Sequence, residues 1–381
     1  MSAVKESSIP CTIMRGGTSK ALFFLASDLP ADVQQRTNLL LQAFGSPDIR
    51  QVDGMGGADP LTSKTAIIRA SKMPGVDVEY TFGQVSITEP FVDMEGNCGN
   101  ISSAVGPFAI DKDLVPAVEP ATSVRIFNTN TKKMIVADVP VREGRVVTHG
   151  PYQINGVPGT GAEIKLHFVD PGGAITGKLL PTGNVVDKIK MESGKTVDVS
   201  VVDAGNLAGF VRAAQIGLRG DELPAEVESH PDILATLEEI RAKISELLGM
   251  CGDWREAYHR YRTNPKIASV SAPAAFRTLQ GHQVPADSSD LMARVMAMGR
   301  MHKAFAITAA IPTAAASKIP GSVVHSLCRK SSSTVRIGHP SGIMSVGITT
   351  SGEKENFSLM EVIVGRTARK LMDGRVFLPE T

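Results

Sequence analysis

The feature that most constrains this chain is an internal echo. The segment SDLPADVQQRTNLLLQAFG, from Ser27, is answered by GDELPAEVESHPDILATLEEIRAKISELLG, from Gly220. Each sets Leu-Pro-Ala-acid-Val at the head of a helical pattern, and Leu29 and Leu223 stand about half the chain apart. A short β-type run with small or polar residues in its middle precedes each one, IMRGGTSKALFFL in the first half and VSVVDAGNLAGFV in the second. Farther on, SKTAII around Lys64 has a fainter counterpart in PKIASV around Lys266. Because the matches share one order, the expectation is two related halves, each a set of short strands plus helices. The Pro- and Gly-rich passage PTGNVVD, Pro181 to Asp187, marks the crossover. The expected domains are therefore 1–184, completed by a C-terminal strand at 371–381, and 185–370.

Length agrees, since 381 residues exceed what one hydrophobic core usually supports. With 40 basic against 39 acidic residues there is no bulk charge to attract nucleic acid or an anionic membrane. The first residues lack the apolar core of a signal peptide, and no stretch reaches the roughly 18 uninterrupted apolar residues of a membrane span. A cytoplasmic protein with a small-molecule partner is expected. The four cysteines, Cys11, Cys98, Cys251 and Cys328, are scattered, with no C-x-x-C and no histidine at metal-ligand spacing. Neither a zinc site nor a disulfide framework is indicated.

VDVEYTFGQVSIT, ATSVRIFN, KKMIVADVPV and KTVDVSVVD read as strands from their β-branched residues and partial alternation. LATLEEIRAKISELLG has apolar residues at helical spacing and a closing glycine, and reads as the most secure helix.

Three turns carry chemistry. In GNCGN, Cys98 lies between two Gly/Asn pairs before the apolar run ISSAVGPFAI. Asn100 or Gly99 is placed to cap a helix there, and exposed amides with the positive end of the helix dipole favour a carboxylate or a thiolate. The bland alternative is a buried small thiol beside a tight turn. MRGGTSK, Met14 to Lys20, offers Arg15, paired glycines, the hydroxyls of Thr18 and Ser19, and Lys20. GMGGADPLTSK, Gly54 to Lys64, ends in Ser63 and Lys64 before an apolar strand. Either is a solvated polar turn or part of an anion site. Neither is a nucleotide loop, because the Walker spacing is absent and no G-x-G-x-x-G follows a strand. Lys64 abuts an apolar run, and desolvation favours the neutral amine that a general base must be. Three anion-friendly turns in the first hundred residues point to a polycarboxylate ligand.

The set MRGGTSK, GSPDIRQVDGMGGADPLTSKTAIIRAS, GNCGNISSAVGPFAI, LPTGN and RIGHPSG, in this order, resembles the PrpF family of isomerases over nearly the whole chain. That family includes 2-methylaconitate cis-trans isomerase, methylitaconate Δ-isomerase and 4-oxalomesaconate tautomerase. NTNTKKMIVADV, INGVPGT, LPTGNVVD and LATLEEIRAK look most similar to the methylitaconate branch. The resemblance implies an α/β (α+β) diaminopimelate epimerase-like fold: two domains related by a pseudo-twofold axis, each a barrel-like sheet around a central helix, with the active site in the cleft between them.

It also implies a cofactor-independent, metal-free isomerase acting on an unsaturated di- or tricarboxylate by an allylic proton shift or a cis-trans isomerisation. The family's catalytic lysine matches Lys64 and its active-site cysteine matches Cys98. Arg15, Thr18, Ser19, Ser63, Gly99 and Asn100 are then expected to bind carboxylates, with Asn184, His339 and Ser341 contributed by the second half. Relatives with the epimerase fold use two cysteines, one from each half, yet the equivalent run here, AITAAIPTAAASKIPG from Ala306, has none. A two-thiol amino-acid racemase is disfavoured on that ground, and a non-catalytic carboxylate-binding protein by the presence of both Lys64 and Cys98. His302 and Cys328 read as structural, Cys251 as incidental, and Cys11 as a strand residue placed to approach the cleft. A homo-oligomer is expected on general grounds.

Overall fold

The computed structural model describes residues 7–261, 264–297, 299–329, 333–352 and 357–379. The outermost ends of the domains read from sequence, 1–6 and 380–381, lie outside the described residues. The chain divides into two compact units, residues 1–166 with 366–381, and residues 167–365.

The first unit runs β1 (Ser8–Gly16), β2 (Ser19–Leu25), α1 (Val33–Phe44), β3 (Lys64–Ala70), β4 (Val78–Val85), β5 (Val92–Asp93), α2 (Gly99–Asp111), β6 (Ala121–Asn128), β7 (Lys133–Arg142) and β8 (Arg145–Val146), and β9 (Ile164–Val169) leads out of it. The second unit holds β10 (Asp187–Lys190), β11 (Thr196–Asp203), β12 (Leu207–Arg212), α3 (Pro224–Glu228), α4 (Pro231–Leu247), α5 (Ala257–Arg260), β13 (Lys266–Ser271), β14 (Phe276–Arg277), β15 (Gln283–Val284), β16 (Leu291–Ala297), β17 (Arg300–Met301), α6 (Ile307–Lys318), β18 (Thr334–His339), β19 (Gly342–Ser351) and β20 (Ser358–Arg366). The chain then returns to the first unit as β21 (Ala368–Phe377).

The echo is a repeated sheet. In the first unit β1–β2 is antiparallel, β2–β3 parallel, β3–β4 antiparallel, β4–β6 parallel and β6–β7 antiparallel. In the second, β11–β12, β12–β13, β13–β16, β16–β18 and β18–β19 repeat that alternation in the same order. The runs IMRGGTSKALFFL and VSVVDAGNLAGFV are hairpins rather than single strands, and their small central residues form the turns. The second LPAEV also differs from the expected continuous pattern. Pro231 lacks the N–H that would carry α3 onward, so a short helix is followed by a separate one.

In the first unit the sheet wraps α2, which packs against β1, β2, β3, β6, β7, β8 and β21. Every residue of α2 from Gly99 to Ile110 is buried, as its apolar sequence on all sides requires. On the outer face α1 supplies Leu40, Leu41 and Phe44 to a core shared with Leu22, Phe24 and Ile67. The second unit repeats the plan: α6 is buried from Ile307 to Ser317 and packs on β11, β12, β18 and β19, while α4 covers the opposite face.

The unit boundary falls at Leu166, earlier in the chain than PTGNVVD. The intervening stretch is tied to the second unit, where Asp203 accepts hydrogen bonds from the Ile175 and Thr176 amides at 2.9 and 2.6 Å. No helix among the described residues is long and apolar enough to cross a membrane.

Candidate active site

Strand alternation decides which side chains meet at the head of α2. Leu22 and Phe24 face α1, so Ala21 and Phe23 face α2, where the rings of Phe23 and Phe108 lie 5.3 Å apart. Lys64, the first residue of β3, is the lateral neighbour of Ala21 and therefore shares that face. Ser19 shares it too, opposite Gly16, whose added Cβ would stand 2.5 Å from the Asn100 carbonyl oxygen. That close approach is why a glycine precedes the turn.

Lys64 is buried, and its Nζ donates to Gln84 Oε1 and lies 5.2 Å from the Phe82 ring centre. Burial lowers its pKa below the ordinary lysine value, and negative charge on Cys98, Asp59 and Asp93 pulls the other way. Gln84 stands directly across from Lys64 on β4. Its Nε2 donates to the carbonyls of Pro60 and Ser63 at 3.2 and 2.9 Å, which aims Oε1 at the amine.

Cys98, not Gly99 or Asn100, is the N-cap of α2. Its backbone is extended at φ −121°, and its carbonyl accepts the first helical bond, from the Ser102 amide at 2.9 Å. Gly99 is thus the first helical residue. The Asn100 side-chain oxygen receives the Thr18 amide at 3.4 Å and Arg366 Nε at 3.2 Å, which joins the β1–β2 turn to the helix. The hydroxyls of Thr18 and Ser19 are buried there without a hydrogen-bond partner. Arg366 is itself buried, and desolvation pushes its pKa down to about 10, so it is a cation at neutral pH. A cation, a helix N-terminus and two buried hydroxyls together suit a carboxylate.

The other first-unit candidates are engaged in building these turns. Arg15 lies on the face of β1 away from α2, and its Nη1 donates to the carbonyls of Gly17 and Thr367 at 3.0 and 2.9 Å. Ser63 Oγ donates to Gln51 Oε1 at 2.6 Å, and the same oxygen receives the Ala58 amide at 2.8 Å. Gln51, at φ +47° and buried, thereby folds the loop ahead of Lys64.

In the second unit Asn184 is exposed, with Nδ2 donating to Asp187 at 2.7 Å. His339 is buried at the end of β18, its ring 6.4 Å from that of Phe305, and Nδ1 receives the Ser341 amide at 3.2 Å. Ser341 Oγ donates to the Lys303 carbonyl at 2.6 Å. His302 lies in the turn between β17 and α6, ahead of the helix that begins at Ile307. Ala306 is the N-cap of α6, where α2 has Cys98.

Burial raises the Cys11 thiol to about 12 and the Cys328 thiol to about 11, which leaves both protonated and inert at neutral pH. No group of three or more His, Cys, Asp or Glu able to hold a metal occurs among the described residues.

Arg366, Gln84, Gln51 and Asp93 were missed in the sequence. Arg366 is 266 positions from Asn100 and reaches it only through the return of the C-terminal strand. Gln84 carried a usable signal, since it sits in a strand whose alternation places a polar residue on an otherwise buried face.

The architecture is that of the two-domain epimerase-like α+β proteins. It aligns with the crystal structure of a hydroxyproline epimerase from Agrobacterium vitis at a TM-score of 0.58 and 12% identity, over 98% of this chain and 93% of that one, a likeness of fold alone. The chain belongs to the PrpF protein family, whose match covers residues 6–379, and it is an isomerase. It is 47% identical to the 3-methylitaconate isomerase of Eubacterium barkeri, over 97% of both chains, and 39% identical to the 2-methyl-aconitate isomerase of Shewanella oneidensis, over 98% of this chain and 97% of that one. A crystal structure of methylitaconate Δ-isomerase superimposes with a TM-score of 0.81 at 46% identity, covering 98% of this chain and 96% of that one.

Proposed function

We propose that this protein shifts a proton across the double bond of an unsaturated di- or tricarboxylate, with Lys64 as the base and Cys98 as its proton-transfer partner. The observation that carries the reading is the state of Lys64: a buried amine of lowered pKa, oriented by Gln84 and electrostatically coupled to the cysteine that caps α2. The neutral amine removes a proton from the carbon allylic to the double bond, and the electron pair delocalises as a dienolate onto the substrate carboxylate. The α2 amides of Gly99 and Asn100, the hydroxyls of Thr18 and Ser19, and Arg366 hold that charge. Cys98 returns a proton at the far end of the allyl unit, and transfer from the Lys64 ammonium to the resulting thiolate resets the pair. Arg15 and Ser63 serve by shaping the turns, and Asn184, His339 and Ser341 are the second unit's candidates for substrate contact.

The relatives are named for methylitaconate and methylaconitate, and the sequence wording resembles the methylitaconate branch, so methylitaconate is the first substrate to test. We read the chain as a cytoplasmic homo-oligomer that needs neither metal nor nucleotide. A panel of methylitaconate, methylaconitate, aconitate and oxalomesaconate in deuterated water tests the reaction. Deuterium at the allylic carbon, with the matching change in ultraviolet absorbance, is expected. Exchange at an amino-acid Cα, or none on any acid, refutes it. The racemase reading would need a second thiol, and Ala306 stands where the second unit would place it.

A further inference from the structure

Strand alternation in β6 brings a polar residue to a place where an apolar one is due. Val124 and Ile126 are buried, and a Cβ added at Gly106 of α2 would stand 3.6 Å from Val124 Cγ2, so this is the face toward the central helix. The last residue of β6 on that face is Asn128, completely enclosed. Its Oδ1 receives the Thr131 amide at 2.9 Å and the Thr131 hydroxyl at 2.8 Å. A backbone amide can only donate, so the oxygen is fixed at that end and Nδ2 turns the other way. There it donates to Oδ1 of Asn97, the residue before Cys98, at 3.4 Å.

Asn97 is buried as well, and its Oδ1 also receives the Cys98 amide at 2.6 Å and the Ser102 hydroxyl at 3.3 Å. As the cap, Cys98 stands outside the helix, whose bonds hold its carbonyl and not its N–H. One side-chain oxygen supplies what the helix does not, and ties the cap to the following turn. Asn130 holds the start of the same loop. Its Oδ1 receives the Phe82 amide at 2.8 Å, and its Nδ2 donates to the carbonyls of Phe82 and Met94 at 2.9 and 2.5 Å. The run NTNT, Asn128 to Thr131, thus grips the loop 94–98 at both ends. On β4 it grips the residue whose ring centre lies 5.2 Å from Lys64 Nζ.

We infer that Asn97, held in turn by Asn128, is a positioning residue for Cys98, setting the cap where its thiol returns a proton to the dienolate. The inference rests on the reading of Lys64 and Cys98 as the proton-transfer pair, and all its residues belong to the first unit. Because α2 is enclosed on all sides, its amides keep their place when Asn97 is lost, whereas the cap residue does not. Binding and chemistry then separate. The carboxylate is still held and Lys64 still takes the allylic proton, but protonation at the far carbon slows. In deuterated water the Lys64 ammonium carries deuterium, and it returns a deuteron to the carbon that lost the proton.

The test uses the full chain in deuterated water, with calorimetric affinity for tricarballylate, a saturated tricarboxylate that cannot isomerise, and kinetics on whichever acid the panel identifies. Asn97→Ala is expected to lower kcat about thirtyfold or more, to keep tricarballylate affinity within about threefold of wild type, and to raise deuterium in recovered substrate per turnover at least about fivefold. Asn128→Ala, acting through Asn97, should do the same to a smaller degree. Should both fail to fold, Ser102→Ala decides the matter, since it removes one donor from Asn97 while improving helix propensity; a loss of about threefold or more in kcat with the same rise in deuterium is expected. Lower stability with wild-type kcat and deuterium ratio in the folded variants would overturn the inference, by leaving Asn97 a structural residue. A fall in kcat matched by an equal loss of affinity would also overturn it, by making Asn97 part of the anion site. Near-normal turnover in Cys98→Ser, or no turnover of any panel acid by the wild-type enzyme, would bring down the proton-transfer reading itself, and this inference with it.

Discussion

Lys64 combines two demands that conflict in water: a base must be neutral, and a lysine near neutral pH is not. Enclosure resolves the conflict by disfavouring the ammonium, with a consequence for pH. The rate should rise with pH through a midpoint below the ordinary lysine value of about 10.4, and Lys64→Ala should lose both that limb and at least about a hundredfold in kcat, as a pH–rate series would show. Stability moves in a definite direction as well. A lysine of lowered folded pKa destabilises the fold in full below that pKa, and the penalty fades as pH rises toward the unfolded value near 10.4. Lys64→Met should therefore gain stability over wild type on the acid side of this window and lose the advantage across it, as denaturant titrations at several pH values would reveal. Cys98→Ser separates sulfur from shape: it should bind tricarballylate normally while kcat falls about a hundredfold, because a hydroxyl scarcely ionises at neutral pH. Near-normal turnover would instead make GNCGN a cradle built from amides alone.

At the scale of elements, α2 is the part on which the site depends. It is enclosed on all sides, so its position is set by packing rather than by propensity. Gly106 shows how tight that packing is, since an added Cβ would stand 2.7 Å from Val139 Cγ2 and 3.2 Å from Ala137 Cβ. Alanine there improves helix propensity by about 1 kcal/mol but overpacks the contact with β7 at a cost of about 1–3 kcal/mol. Overpacking should win. Gly106→Ala is expected to lower Tm by a few degrees in calorimetry and to reduce kcat, because the Cys98 cap shifts with its helix; an unchanged or raised Tm would show that the sheet yields. The element boundaries were legible where a residue type acts locally, as in the MRGGTSK turn, whereas the turn inside VSVVDAGNLAGFV was not read. The N-cap was not, because Asn100 is a better capping residue than Cys98 by type. Its side chain is instead held by Thr18 and Arg366, and the helix starts earlier.

At the scale of the whole chain, the first unit is completed by the last strand. β21 runs along β1 from the pair Ser8 and Phe377 to the pair Gly16 and Ala368, and Arg366 arrives at the α2 cap just before it. Truncation after Gly365 should therefore abolish activity and leave residues 7–166 open to proteolysis, whereas a cut after Phe377 should be tolerated. The sequence by itself determined the repeated order of the two halves, the apolar helix that follows GNCGN, and the placing of Lys64 and Cys98 at the ends of turns that welcome anions. These follow from local composition and spacing, which are properties of neighbouring residues. Only the tertiary structure decided that Lys64 shares a face with α2 while Arg15 does not, that Gln84 aims the amine, that Ser63 serves the loop, and that Arg366 supplies the buried cation. Each of those depends on strand register or on the long return of the chain. A shift of one residue along a strand reverses the face, and no local preference carries that information.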